Sequence, residues 1–393
     1  MIASVLMLAM TALADVPSPV FEGGGGIDVA NFRDEMTPQM RERIDAQIQQ
    51  NIAELQAKGI MPPTLLQALP ASGPVLFDWP LKPTAGYNEP DYHGISNFVD
   101  LDPTYPNHLL DYTCGARTYD QAGGYNHAGI DIFLWPYPWI LMDQGAVEIV
   151  AAAPGTIVGK VDGNDDRSCP NNYSANWNAV YVQHADGTVA WYGHMRKFSQ
   201  TAKTIGQSVA VGEYLGQVGS AGFSTGPHLH FELHSSNLAG YSVLEGNSGM
   251  CNNVPSRYLN QLAYFDSKIN RLATHSAIPN QDAGCPNPTE ETPNFKSVFN
   301  PGETVIFATY YHDQLAGQVT AFRVLRPDAS VFQSWNQSYA GPPNFYAASY
   351  WYRSYALPVN APSGAWTFEA TFQGAVTTKT FWVGDIIFVD GFQ

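Results

Sequence analysis

The chain has 393 residues, 45% apolar content and a formal net charge of −16. That length exceeds one ordinary core and calls for two or three units, while the acidic balance excludes nucleic acid or an anionic membrane as the main partner. Charged residues make up only 14%, against 35 Gly and 28 Pro, so turns are frequent and a mainly β architecture is expected rather than a helical bundle.

Residues 1–14 carry a short apolar stretch that ends in Ala12-Leu13-Ala14, an A-x-A cleavage signature without the usual basic start. A signal peptide is expected there, with a secreted or periplasmic mature chain from Asp15. No later segment is long and apolar enough to span a membrane. Residues 15–36, with glycines at 23–26, read as loose. Residues 37–58 read as a helix: Thr37 is the N-cap, Pro38 suits the first turn and Gly59 follows the last. Met40, Ile44, Ile48, Ile52 and Leu55 form its apolar stripe. A Pro/Ala coil then runs to about residue 74, which makes 15–74 a helical segment and candidate prosegment.

Residues 75–285 form the expected catalytic unit. Short β runs such as "GTIVGKVD" and "GEYLGQVG" alternate with turns, and "AVYVQHADGTVAWYGHM" is a hairpin turning through Ala185-Asp186-Gly187. Residues 256–274 read as a helix capped by Ser256. Residues 286–294, "PNPTEETPN", read as a linker. Residues 295–385 alternate again and suit an immunoglobulin-like β-sandwich of about seven strands; 386–393 is a short tail. The four cysteines have no CxxC spacing, which argues for two disulfides over a zinc cluster. Three pairings are open, and local closure favours Cys114–Cys169 with Cys251–Cys285.

Three stretches carry chemistry. In "GPHLHFEL" and the residues after it, strand alternation places Leu229, Phe231 and Leu233 on one face and His228, His230, Glu232 and His234 on the other. That second face reads either as a solvated polar surface or as a metal and proton-handling site. His228 and His230 are about 6.7 Å apart along an extended strand, so both can reach one ion and their roles stay open. In "GGYNHAGIDIF", His127 and Asp131 would be about 13 Å apart if fully extended. The glycines at 123, 124 and 129 suggest a bend that closes the gap into half of a zinc site, the alternative being a hydrogen-bonded turn. In "VAWYGHM", His194 ends the second hairpin strand.

Together, "HAGID", "YGHM", the "AAAPGTIV" strand and "SAGFSTGPHLHFEL", in their order, resemble the lysostaphin-type (LytM-like) zinc endopeptidases over roughly residues 120–240. The resemblance implies that His127, Asp131 and His230 bind Zn2+ and that His194 and His228 are the catalytic histidines. Three protein ligands leave a position open for water, as catalytic zinc requires. It also implies a peptidoglycan peptide, stem or cross-bridge, as substrate. The alternatives are a cell-wall binding or activator protein without catalysis, and an exported protease of glycine-rich proteins. Glu232 and His184 are candidates to support the ligands, and His234 is a weaker one. Tyr125 and Asn126 flank the first ligand and are candidates to line the cleft. His93, His108, His275 and His312 read as structural or exposed. A monomer is expected.

Overall fold

The computed structural model describes residues 19–27, 36–62, 73–167, 176–235, 242–281 and 291–384. The signal-peptide residues, most of the Pro/Ala coil, Cys169, Cys285, linker residues 286–290 and the tail lie outside them. The fold is mainly β, built from antiparallel sheets with two helices among the described residues.

The site-bearing sheet runs in the order Ser208–Val209, Gly155–Val161, Ala179–His184, Val189–Gly193, His228–His234, Ile130–Leu134, His93–Asn97. The hairpin is as expected, with Val189 opposite Gln183 and Tyr192 opposite Val180. Alternation sends Val180, Val182, Ala190, Leu229, Phe231 and Leu233 into the main core. The strands Tyr214–Gln217, Val147–Val150 and Leu81–Pro83 form a second sheet, and their Ile149 and Leu215 share that core.

The opposite face is also covered. Helix α1, Pro38–Ala57, starts where its cap requires, with Thr37 Oγ1 accepting from Met40 N. Ile48, Ile52 and Leu55 of the stripe are buried against Val158, Tyr181 and Trp191, with Met40 and Ile44 packed beside them. This is the face that also carries His228, His230, Glu232 and His234, all fully buried. The solvated-face alternative is thereby excluded.

The C-terminal part is a two-sheet sandwich with four strands on one side and five on the other, around Phe307, Phe322, Trp366 and Phe368. It takes in more chain than residues 295–385. The segment read as helix 256–274 is instead loop followed by the strand Lys268–His275, paired to Thr304–Leu315. A bulge between Ile269 and Arg271 shifts the alternation, so that Ile269 and Leu272 are buried three residues apart. That spacing mimics a helical stripe. The glycine run is not loose either: Glu22–Ile27 is an edge strand on Phe345–Ala356. Trp135 and Tyr137 pack with Ala308, Tyr310 and Ala348, joining the sandwich to the catalytic unit.

The disulfide differs from both expected pairings: Cys114 is bonded to Cys251, at a sequence separation of 137. Cys251 N donates to Tyr112 O at 2.9 Å, so the two loops are held together by backbone as well. Preference for local closure was a weak guide. Each doubling of a loop costs only about 0.6 kcal/mol, too little to outweigh a tertiary contact.

Candidate metal centre and active site

The five predicted site residues converge, and each is at most 1% exposed. Strand register does most of the placement. Asp131 stands opposite His230 across the Ile130–Leu134/His228–His234 pair. Gly193 stands opposite His230 on its other side, and His194 follows it with a left-handed φ of 56°. Such a backbone is costly for a residue with a Cβ and is found where a side chain must be aimed. His127 joins from the bend before Ile130, and the glycine that matters there is Gly129. A Cβ on it would lie 2.7 Å from Phe231 O and 2.9 Å from His230 Nε2, so only glycine lets the chain pass this close.

Hydrogen bonds fix which imidazole nitrogens face inward. His127 Nδ1 donates to Phe98 O at 2.7 Å, leaving Nε2 as a lone pair 3.1 Å from Asp131 Oδ2. His230 stands between two carboxylates, with Nε2 2.7 Å from Glu232 Oε1 and Nδ1 2.8 Å from Asp131 Oδ1; with its proton on Nε2, the ring offers the Nδ1 lone pair to a metal. Ligand atoms of His127, Asp131 and His230 thus all lie within 4.8 Å of one another. With both imidazoles neutral, three acceptors face each other here, shut off from water, an arrangement that a cation among them relieves. A metal ion answers all three at once, and an N,N,O donor set suits zinc.

His194 and His228 lie side by side, ring centroids 4.5 Å apart. Their Nδ1 atoms donate to Ala221 O and Gly226 O, each at 2.7 Å. Both therefore present Nε2 to the site, that of His228 at 3.6 Å from Asp131 Oδ1. Burial, with His228 and His230 close by, holds the His194 imidazole well below its ordinary range, so the ring is neutral.

Several supporting residues escaped sequence reading. Asn97 Nδ2 donates to Asp131 Oδ2 at 3.1 Å, and Tyr119 stacks on His127 at 4.6 Å. Trp177 lies 5.2 Å from His194 and 5.7 Å from His230. Arg41 of α1 makes a bidentate pair with Glu232, Nη1 to Oε2 at 2.7 Å and Nη2 to Oε1 at 2.9 Å, and lies 5.3 Å from the Trp191 ring. Burial opposes ionisation of Glu232, but Arg41, His230 and His234 hold its carboxyl well below its usual range. Only Arg41 had a visible signal, since it falls on the helix stripe seven residues before Ile48.

Glu232 contacts His230 through Oε1. His184 lies elsewhere: alternation puts it with Val180 and Val182 on the core face, where Nδ1 bonds Pro154 O at 2.9 Å and the ring meets Phe77. His234 bonds Glu232 Oε2 at 2.7 Å and stacks on Trp191. Tyr125 packs with the residues beneath α1, and Asn126 Nδ2 donates to Asp102 O at 2.7 Å. His93 Nδ1 lies 2.7 Å from Asp91 Oδ1, His312 bonds Asn270 and His275 bonds Pro293 O. His108 is exposed.

Residues 125–241 match the model of Peptidase family M23. The DD-carboxypeptidase/endopeptidase Mpg of Neisseria meningitidis serogroup B is 49% identical over 55 residues, 14% of this chain and 12% of that protein. The peptidoglycan DD-endopeptidase ShyC of Vibrio cholerae serotype O1 is 35% identical over 72 residues, 18% of this chain and 16% of that one. The glycyl-glycine endopeptidase ALE-1 of Staphylococcus capitis is 33% identical over 127 residues, 32% of this chain and 29% of that one. Each match thus spans less than a third of the relative. All five converging residues fall inside the matched segment, so residues 125–241 carry a Peptidase family M23 domain of the LytM type.

Proposed function

We propose that the protein is an exported zinc metalloendopeptidase that hydrolyses peptide bonds of bacterial peptidoglycan. The observation that carries this reading is the set of three buried acceptors of His127, Asp131 and His230 facing one another beside two further inward-facing imidazoles. His127 Nε2, His230 Nδ1 and an Asp131 oxygen would hold the metal, which when bound supplies a Lewis acid that polarises water and the scissile carbonyl. His194 Nε2 and His228 Nε2 are the proton sites. Their Nδ1 protons are committed to backbone carbonyls, so each imidazole can take a proton only at Nε2. Once protonated there, it becomes a donor to the developing oxyanion or to the leaving nitrogen. Glu232 holds the His230 ring in its orientation. Export is supported by the Ala12-Leu13-Ala14 signature and by a disulfide, which persists in oxidising compartments.

The N-terminal segment is read as a cover that restrains the enzyme. Helix α1 lies on the site-bearing face with Arg41 inserted to Glu232. Between its residues Met40, Ile44 and Ile48 and the opposing Tyr181 and Trp177 a cavity of about 410 Å3 remains. Trp177 is the same ring that borders His194 and His230, so this cavity is read as the part of a substrate groove that α1 leaves unfilled.

The test is mass spectrometry of fragments released from purified peptidoglycan. New amino termini within stems or cross-bridges are expected. Fragments cut in the glycan strands alone, or none with α1 removed, would refute the reading.

A further inference from the structure

A run of four glycines is a poor way to build a strand, because glycine loses the most backbone freedom on ordering and has no side chain to pack. Yet Glu22–Ile27 pairs residue for residue with the Phe345–Ala356 strand, from Glu22 opposite Arg353 to Ile27 opposite Ala348. The seat explains the composition. A Cβ on Gly23 would lie 2.6 Å from Tyr352 Oη; one on Gly26 would fall inside the Tyr346 ring. One on Gly24 would meet the Tyr350 carbonyl, and Gly24 has a φ of 123° besides. Gly24 therefore refuses an L side chain outright, while a side chain at Gly23 or Gly26 requires the Tyr352 or Tyr346 ring to move. The tyrosines that enforce this are braced by one another: Tyr346 packs on Tyr339, and Tyr350 stacks on Tyr310 and Tyr352.

The attachment is also local. Besides the ladder, its contacts among the described residues include the Glu22–Arg353 ion pair, the Phe21 hydrogen bonds to Ser354, the Phe21–Tyr352 ring contact and the packing of Ile27 against the Trp135–Tyr310 cluster. The strand is the edge of its sheet, with Phe345–Ala356 as its neighbour. Nearly everything that holds it is contained in about seven consecutive residues, so a short peptide of the same kind can make the same contacts by strand addition.

We propose that the edge of the Phe345–Ala356 strand is a glycine-selective peptide-binding site, which Glu22–Ile27 occupies in cis and which accepts a glycine-rich peptide of another molecule in its place. A strand that served merely to cover an edge would be better made of β-branched residues; a seat that excludes Cβ atoms reads a glycine-rich sequence. The site is separate from the catalytic one, and its test needs no catalysis.

The experiment uses the full chain with Gly24→Val and Gly26→Val together, which unseats the cis strand. The probes are fluorescein-labelled hexapeptides EGGGGI and EGAGAI, read by anisotropy in the cold, with intact probe verified by mass spectrometry. The variant is expected to bind EGGGGI at least tenfold more tightly than the unaltered chain does, and at least tenfold more tightly than it binds EGAGAI. A variant that melts like the unaltered chain but binds neither peptide, or both equally, overturns the proposal. If the variant melts earlier, hydrogen exchange on the unaltered chain decides. Excess EGGGGI should speed exchange at residues 22–27 while 345–356 stay protected, and unchanged protection at 22–27 overturns the proposal.

Discussion

His230→Ala should lose metal and activity together, whereas His228→Ala should keep close to one metal equivalent while its rate falls by about 10²–10⁴-fold, the usual contribution of a general acid or base. The two imidazoles are two residues apart on one strand face, yet their partners differ. His230 directs Nδ1 at Asp131 with Nε2 committed to Glu232. His228 is held by the Gly226 carbonyl and leans on His194 instead. Removing His230 takes away one of three donors. Removing His228 leaves all three in place. His194→Ala should behave as His228→Ala does, since its Nδ1 is likewise spent on a backbone carbonyl. Metal analysis beside rate measurement on the three variants separates the roles. If His228→Ala releases metal as readily as His230→Ala, both are ligands and the division is wrong.

A chain beginning near Pro74 should hydrolyse peptidoglycan at least tenfold faster than the full chain, and Arg41→Ala in the full chain should move in the same direction. With α1 in place the five site residues are at most 1% exposed, and the proposed cover predicts that substrate reaches them more readily once the helix is gone. Arg41→Ala strips a buried carboxylate of its cation. Breaking a buried pair on one side costs about 3–5 kcal/mol, less here because His230 and His234 still bond Glu232. Opening the helix lets water reach Glu232, so part of that cost appears as a shift toward the open form. Each 1.4 kcal/mol is tenfold in the opening equilibrium. Initial rates on purified peptidoglycan, with melting curves to show that the catalytic unit stays folded, check this. Equal rates for all three chains would leave α1 as a packing element.

Local rules carried far here, and their failures have physical causes. Helix α1 was legible to within a residue at each end because its cap, its proline and its stripe are all local. The hairpin was legible from alternation and its Asp-Gly turn. His184 was also legible in hindsight: parity with Val180 and Val182 puts it on the core face. The metal set came from four motifs in order, since no single spacing distinguishes a ligand from a turn histidine. What was not legible is long-range. The Cys114–Cys251 bond, the Arg41–Glu232 pair and the docking of Glu22–Ile27 on Phe345–Ala356 join segments more than 130 residues apart. The strand Lys268–His275 was misread because one bulge gave it helical spacing.

The most direct test of the central claim is stepwise return of zinc to metal-stripped protein lacking residues before Pro74, with peptide hydrolysis followed at each addition. Activity should start at background, rise in proportion to bound metal and level off at one equivalent, with His230→Ala flat throughout. Full activity before any metal is returned would contradict the account.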